Sequence, residues 1–479
     1  MAAQELGSVA VIGGGLAGMT AAWALMRAGH HVTLVERRPY LGGRAYSFVD
    51  QETGMEVDNG QHVFLGCNTA FADLLADVNA LIAPALTHWQ HPGFFGYFPA
   101  NSSPPAVLAE LISAGLGVNG MLWSTSPACT ELETQVLDWL VDLCGLPGRF
   151  RSDGPGGGVI QDSASSASLC ALLAARDRSG GAAALSRLVA YTSSQAHSSI
   201  EKAVRIAGFG DQALRMVEVG DDFAMDAGAL AAVMTADRDA GLVPCFVAAT
   251  VGTTSSGAVD PVPAIAAVAA EAGAWVHVDA AWAGSAAVCP EFRPLLAGLE
   301  AVDSYAFNPH KWLLTNFDCT AFYVADRQPL VEALSVVPEY LRNAASDSGE
   351  VIDYRDWQVS LGRRFRSLKL WFVLRSYGAE GLRAHIRHHV EAAERFAERV
   401  VAHPSLELAT ERSLALVCFR HVDGDEATRN LQDALNATGE LFLTHSVLSD
   451  RHVLRLAVGG TWTTATHVDR VADLLDDLA

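Results

Sequence analysis

Lys311 closes the run SYAFNPHK, Ser304 to Lys311. The β-prone residues 304 to 307 predict a strand and Pro309 ends it, so the amine is held in a turn at a sheet edge beside His310 and Trp312. A lysine that is partly desolvated loses its proton more readily and can form a Schiff base with a carbonyl cofactor. The plainer alternative is a stem lying along apolar surface with its charge in water. Upstream, Val276, His277 and Val278 end an apolar strand and Asp279 leaves its tip, where open α/β sheets place ligand groups. Asp279 could cap the helix that follows. It could also face the ring nitrogen of pyridoxal phosphate and keep it protonated, which that cofactor needs in order to draw electrons. With one further strand between Asp279 and Lys311, neighbouring strand ends would bring both to one cofactor.

Seven stretches extend the pattern in order: THWQHPGFFGYFP, SPACTELE, YTSSQAHSSIEKA, ATVGTTSSGAVDP, HVDAAWAGSA, FNPHKWLLTNFDC and DYRDWQVSLGRRFRSLK. With them the chain from about Leu81 to its C-terminus resembles the group II pyridoxal-phosphate decarboxylases, and among these the aromatic-L-amino-acid decarboxylases. The resemblance implies a carboxy-lyase that takes DOPA, tryptophan, tyrosine or phenylalanine to the amine and carbon dioxide through a Lys311 Schiff base. It implies the α/β transferase fold of these enzymes (fold type I), with a mostly parallel central sheet and a small α+β C-terminal domain. A homodimer is implied too, with Val118 to Leu122 reaching the partner.

The same resemblance distributes roles. Phosphate falls to Ser163, Ala164 and Ser165, with Ser304, Asn308 and His310. The glycine-rich approach GPGGGVIQDSAS, followed by an apolar helix, independently suits an anion at a helix N-terminus, although a serine N-cap alone would explain Ser163. Asp162 stands where many relatives have glycine; a carboxylate there opposes an anion unless it caps the helix. His197 would lie over the ring, sandwiching it against Ala281 and touching substrate, and Thr254 would sit near the ring oxygen. Trp89, Tyr97, Phe98 and Pro99 would line the side-chain pocket, in a turn-broken segment whose crowded aromatics suggest a cavity for a flat substrate. Tyr340 lies in a polar, aperiodic loop, Val336 to Ile352, that could close over substrate. In the resembling decarboxylases a tyrosine there helps protonate the substrate after carbon dioxide leaves, whereas related aldehyde synthases carry phenylalanine; a tyrosine resting on the rim is the alternative. Arg355 and Gly362 become neighbours of the site. Arg363, Arg364, Arg366 and Lys369 read as a helix face with structural and interface roles.

The first 72 residues tell a different story. VAVIGGGLAGMTAAWALMRAGHHVTLVERR is a strand, a glycine turn, a helix and a second strand, with Gly13, Gly15 and Gly18 as GxGxxG and Glu36 placed to accept ribose hydroxyls. Together with LGGRAYS, which contains Arg44, and DNGQH, this truncated Rossmann-like βαβ segment resembles the FAD-binding start of amine oxidases and of carotenoid or squalene-type desaturases. FAD binding, a remnant, a natural fusion and an assembly fault all remain readings of it. A flavin-dependent oxidoreductase fragment and an inactive fusion are the corresponding alternatives for the whole chain. The expected domains are 1–72, 73–150 for pocket and dimer contacts, 151–378 for the cofactor and 379–479 as the small domain. The segment replaces the helical arm that covers the partner in the resembling enzymes, which would weaken a dimer.

Composition limits the partners. The 479 residues are half apolar and carry a net charge of −21, which suits an acidic protein with a small-molecule substrate and disfavours nucleic acid. Eight cysteines without a CxxC pair signal neither disulfides nor a metal site, and suggest a reducing cytoplasm. No apolar run is long enough for a bilayer.

Overall fold

Strands that are apolar along their whole length need cover on both faces, and the centre of this protein is built from such strands. The computed structural model describes residues 8–13, 18, 21–22, 25–26, 30–36, 47–49, 56–58, 75–336 and 351–479. The chain divides into two units, Met1–Thr87 and His88–Ala479.

In the first unit, β1 (Ser8–Ile12) and β2 (His31–Val35) pair in parallel, Ser8 opposite His31 and Ile12 opposite Val35. Gly13 leaves β1 with φ +102, a backbone that disfavours side chains, and its N–H donates to the Val35 carbonyl at 2.8 Å. Gly18 and Glu36 are also described, whereas Gly15 and Arg44 lie outside the described residues. A short antiparallel pair, β3 (Ser47–Val49) with β4 (Glu56–Asp58), completes the strands described in this unit.

The second unit opens with α1 (Pro104–Leu116) and α2 (Pro127–Cys144). The apolar spacing of TELETQVLDWLVDLCG predicts a helix from Pro127 to Gly145, and Gly145 stops α2 in a left-handed cap. The seven-stranded sheet follows: β5 (Gly157–Gln161), β6 (Leu188–Ser193), β7 (Leu214–Val217), β8 (Val243–Thr250), β9 (Trp275–Asp279), β10 (Ser304–Phe307) and β11 (Thr320–Val324), in the spatial order β5-β11-β10-β9-β8-β6-β7. Only β11 runs against its neighbours. The C-terminal ends of the other six therefore share one edge, where parallel α/β sheets hold ligands. Helices α3 (Ala164–Arg178) and α4 (Ser199–Ile206) start from that edge after β5 and β6.

A long helix, α5 (Arg366–Ala402), leads away and is broken at Gly378, whose φ of 62 and ψ of 179 are not helical. The sequence predicts two helices here, Leu361 to Tyr377 and Glu380 to Ala402; the first starts at Arg366 instead. Arg363 explains the delay. Its buried guanidinium donates to Glu133 on α2 at 2.6 and 3.1 Å, to Gln358 Oε1 and to the Ile160 carbonyl, which holds residues 360–364 out of the helix. Arg363 and Arg364 thus lie off the helix face that the sequence suggests. Removing one partner of such a buried pair leaves an uncompensated charge, costing about 3–5 kcal/mol.

A four-stranded antiparallel sheet follows, β12 (Leu406–Leu408), β13 (Leu416–His421), β14 (Thr444–Leu448) and β15 (Arg451–Ala457), ordered β12-β13-β15-β14. It is covered by α5 and helix Asp425–Ala437, and helix Ala465–Leu478 packs against both of these. The architecture is α/β with a mostly parallel central sheet and a small α+β end. No helix among the described residues is long and apolar enough to cross a membrane.

Candidate functional site

The shared edge of the sheet gathers most of the predicted residues. Asp279 ends β9 and is buried; its Oδ1 accepts from the Ala281 N–H at 2.9 Å, so it caps the turn that follows without giving up its second oxygen. One strand over, β10 pairs Ala306 with Asp279, and Asn308 donates its N–H to the Ala281 carbonyl at 2.8 Å. A single helical turn, Pro309–Trp312, then carries Lys311. Burial pushes the Lys311 amine below the ordinary lysine range; the Asp279 charge opposes this and the Arg455 charge adds to it. Asp279 and the turn that carries Lys311 thus leave adjacent strand ends.

The lysine turn is pinned from behind. Asn101 Nδ2 donates to the Lys311 carbonyl and, at 2.7 Å, to the Gly459 carbonyl, while its backbone N–H donates to the His310 carbonyl at 2.8 Å. His310 is buried with Nδ1 3.1 Å from the Cys319 N–H, and burial followed by the Lys311 charge holds it down to about 3. Asn308 is buried and accepts from the Thr320 hydroxyl at 2.8 Å.

At the far side of the edge, Ser163 caps α3: its Oγ accepts from the Ser166 N–H at 3.2 Å, and its hydroxyl donates to Asp162 at the same distance. The capping alternative for Ser163 is thus realised, and the first amides of the fifteen-residue α3, at Ala164 and Ser165, remain at its positive end. Asp162 does not cap α3; it accepts from the residue that does. Ser304 lies apart from this group. It is wholly buried, with its hydroxyl accepting from Trp275 Nε1 at 2.7 Å and 2.9 Å from His277 Nδ1, beneath the edge and not upon it.

His197 is exposed just before α4, with Nδ1 accepting from the Ser199 N–H at 3.2 Å. Thr254 is exposed on the turn after β8, while Thr253 is buried against the Ser256 hydroxyl at 2.7 Å. Ser256 in turn donates to Gln195 at 3.3 Å, tying that turn to the His197 segment. Ala281 is partly open and Gly362 exposed; Arg355 is buried, with ion pairs to Asp353 and Asp356 at 3.9 and 3.5 Å.

The aromatic segment splits into two groups. Phe98 is buried, stacked on Trp282 at 4.7 Å and edge-on to Trp312 at 5.3 Å, with Pro99 buried beside it in sequence. Trp89 and Tyr97 stack on each other at 5.4 Å and stay 40 % and 50 % exposed. Tyr340 lies outside the described residues.

Sequence reasoning missed Arg455, on β15. Its guanidinium is buried, donating to the Tyr97 carbonyl at 3.2 Å and weakly to Thr444 Oγ1 at 3.4 Å, with Nε lacking a hydrogen-bond partner among the described residues. A buried charge without a carboxylate is costly unless an anion arrives to meet it. In sequence it is one arginine in an ordinary alternating strand; only the cross-domain fold brings its charge to Lys311.

Several imidazoles here are kept neutral by burial: His277 is held down to about 4, His310 to about 3 and His385 to about 4. In the unfolded chain each would take a proton below its ordinary value of about 6.5. Each therefore contributes stability above that pH, which is lost on acidification toward its folded value, by about 1.4 kcal/mol per pH unit per histidine. Asp260 works the other way, since burial raises it to about 6, but one carboxyl does not offset three imidazoles. The thermal midpoint, followed by circular dichroism, is expected to fall steadily from pH 6.5 to pH 4.5; a constant or rising midpoint would contradict the neutral assignment.

This donor set fits pyridoxal phosphate: an amine driven toward neutrality, a carboxylate at the adjacent strand tip, and a helix start for the phosphate. Comparison with known proteins agrees. The pyridoxal-dependent decarboxylase conserved domain matches residues 65–422, and an NAD(P)-binding Rossmann-like domain matches 11–78. Phenylacetaldehyde synthase of Arabidopsis thaliana is 49% identical over 85% of this chain and 85% of its own. Aromatic-L-amino-acid decarboxylase of Mus musculus is 46% identical over 85% of this chain and 87% of its own. A crystal structure of Oryza sativa TDC with PLP and tryptamine superposes with a TM-score of 0.84 at 46% identity, over 85% of this chain and 87% of that one.

Proposed function

Because the chain belongs to the pyridoxal-dependent decarboxylases, we propose that it converts an aromatic L-amino acid (DOPA, tryptophan, tyrosine or phenylalanine) to its amine and carbon dioxide. The observation that carries this reading is the placement of the turn bearing Lys311 directly after β10, beside the buried Asp279 at the tip of the adjacent β9. Pyridoxal phosphate supplies a carbonyl that takes up an amine and a protonated ring that accepts the electron pair left when the bond to the carboxylate breaks. Lys311 would hold the cofactor through its amine, and Asp279 would keep the ring nitrogen protonated. Ser163, Ala164 and Ser165 would receive the phosphate at the start of α3, with Asn308 and His310, while His197, Thr254 and Ala281 would border the ring. The Arg455 guanidinium is available to the substrate carboxylate, and Trp89, Tyr97, Phe98 and Pro99 would line the side-chain pocket, Phe98 and Pro99 from its buried side and Trp89 and Tyr97 from its exposed rim. Tyr340 delivers the proton to the substrate α-carbon once carbon dioxide has gone.

The working unit is a pair of identical chains. One face of α1 packs on α5, yet Val107, Leu108, Leu111, Ile112 and Leu116 stay exposed, an apolar row that supports a second copy as its cover.

Incubation with pyridoxal phosphate and each of the four amino acids, with carbon dioxide, amine, aldehyde and hydrogen peroxide all measured, tests the reaction. Equal amounts of amine and carbon dioxide without peroxide are expected. Aldehyde, ammonia and peroxide formed at the expense of oxygen would favour a second reading, which the likeness to a phenylacetaldehyde synthase supports. The phenol at position 340 decides between them here: Tyr340→Phe removes the proton donor, so amine formation should fall by about 10²-fold or more, with aldehyde appearing in its place. An unchanged product ratio in that variant would remove Tyr340 from the mechanism.

A further inference from the structure

Trp312 directly follows Lys311, and its indole N–H is buried with a single partner, His389 Nδ1, at 3.0 Å. An indole nitrogen can only donate, so Nδ1 must present a lone pair. The other ring nitrogen, Nε2, faces the Thr463 carbonyl at 3.3 Å, which can only accept. The two neighbours together select one state of the ring, neutral with its proton on Nε2. Protonation of Nδ1 would set two N–H groups against each other. The ring lies nearly coplanar with Trp312, 8° apart with centroids 6.4 Å apart, as an in-plane hydrogen bond requires, and His385 meets it edge-on at 4.2 Å from the same helix. Thr463 is itself fixed, its hydroxyl donating to the Pro92 carbonyl at 2.9 Å.

We propose that His389 is a positioning residue for the reaction: by accepting from Trp312 it holds the one-turn helix that carries Lys311, and so sets where the amine meets the cofactor. The contact crosses from the second half of α5 to the sheet edge, over 77 residues of chain. Asn101 holds the His310 and Lys311 carbonyls, Cys319 meets the His310 ring, and His389 holds the side chain next to Lys311, so the turn is held from several elements and His389 is its hydrogen-bonded tie to α5. A misplacement of about 1 Å at a reacting group can cost about 10²-fold in rate.

This inference rests on Lys311 being the cofactor lysine, and the test separates the two claims. His389→Leu removes the acceptor, whereas His389→Asn keeps an oxygen near the position of Nδ1. In the pyridoxal-phosphate-loaded protein, His389→Leu is expected to lower kcat by about 10²-fold with KM little changed, and to shift the pH at which the cofactor's visible band titrates. His389→Asn should restore most of both. Thermal midpoint and bound cofactor per chain are measured alongside, and rates are expressed per bound cofactor. The proposal is overturned if folded, loaded His389→Leu keeps kcat within twofold and titrates like the wild type, or if Asn restores nothing. Should the wild type form no visible band, or should His389→Leu fail to load, the pH dependence of Lys311 acetylation by acetic anhydride, read by peptide mass in soluble protein, takes its place. A displaced profile in His389→Leu supports the positioning role, and an unchanged one refutes it. If His389→Leu is insoluble, the same comparison is made on Trp312→Phe, which removes the donor of the same bond.

Discussion

Lys311→Ala should lower decarboxylation by at least about 10³-fold and abolish the visible band formed with pyridoxal phosphate. The amine is held below the ordinary lysine range by burial, which makes it a better nucleophile at a given pH than a surface lysine. No other lysine stands at this edge. Lys202 is exposed on α4, and Lys369 is buried in an ion pair with Glu110 at 2.9 Å. The fold should tolerate the change, because the contacts that hold the turn belong to the backbone of Lys311 and to Trp312. Loss of turnover with a thermal midpoint within a few degrees of wild type is the expected pair of results. Retained turnover would refute the assignment of the site.

Asp279→Asn should cost about 10²- to 10³-fold in kcat. Asparagine can still accept from the Ala281 N–H through its oxygen, so the turn after β9 survives while the negative charge is lost. Two consequences follow from that loss. The ring nitrogen no longer keeps its proton and cannot draw electrons from the substrate. The Lys311 amine, whose proton Asp279 helps to retain, becomes still easier to deprotonate, so in the cofactor-free protein it should react with acetic anhydride at lower pH than in the wild type. Steady-state kinetics and peptide-mass readout of acetylation against pH read the two effects separately. A kcat within fivefold of wild type would mean that the acid does not face the ring.

Much of this site is legible because its pieces are local. VHVD and SYAF read as strands, and the residues that leave their tips are where a parallel sheet must put them. What resisted reading depends on direction or on distance. Ser304 has the right residue type, but at the start of β10 it faces Trp275 and His277, and a strand pattern with hydrophobic residues on both faces does not tell inside from edge. Arg455 and Asn101 act across 358 residues, through the Tyr97 and Gly459 carbonyls, and neither position differs locally from an ordinary strand or loop. The late start of α5 has the same origin: helical spacing suits residues 361–365, but the buried pairing of Arg363 with Glu133 outweighs it.

The file of Ser168, His277 and Ser304 lies under the floor of the site, with the imidazole 3.3 Å from the first hydroxyl and 2.9 Å from the second. Ser168 belongs to the helix whose first turn would take the phosphate, His277 sits two residues ahead of Asp279, and Ser304 begins the strand that leads to Lys311. One neutral ring thereby acts as a gauge block between three separate pieces of chain. Redesign of the walls above it for bulkier or smaller substrates can proceed without altering the span from anchor to nucleophile, because that span is set a layer below anything the substrate touches.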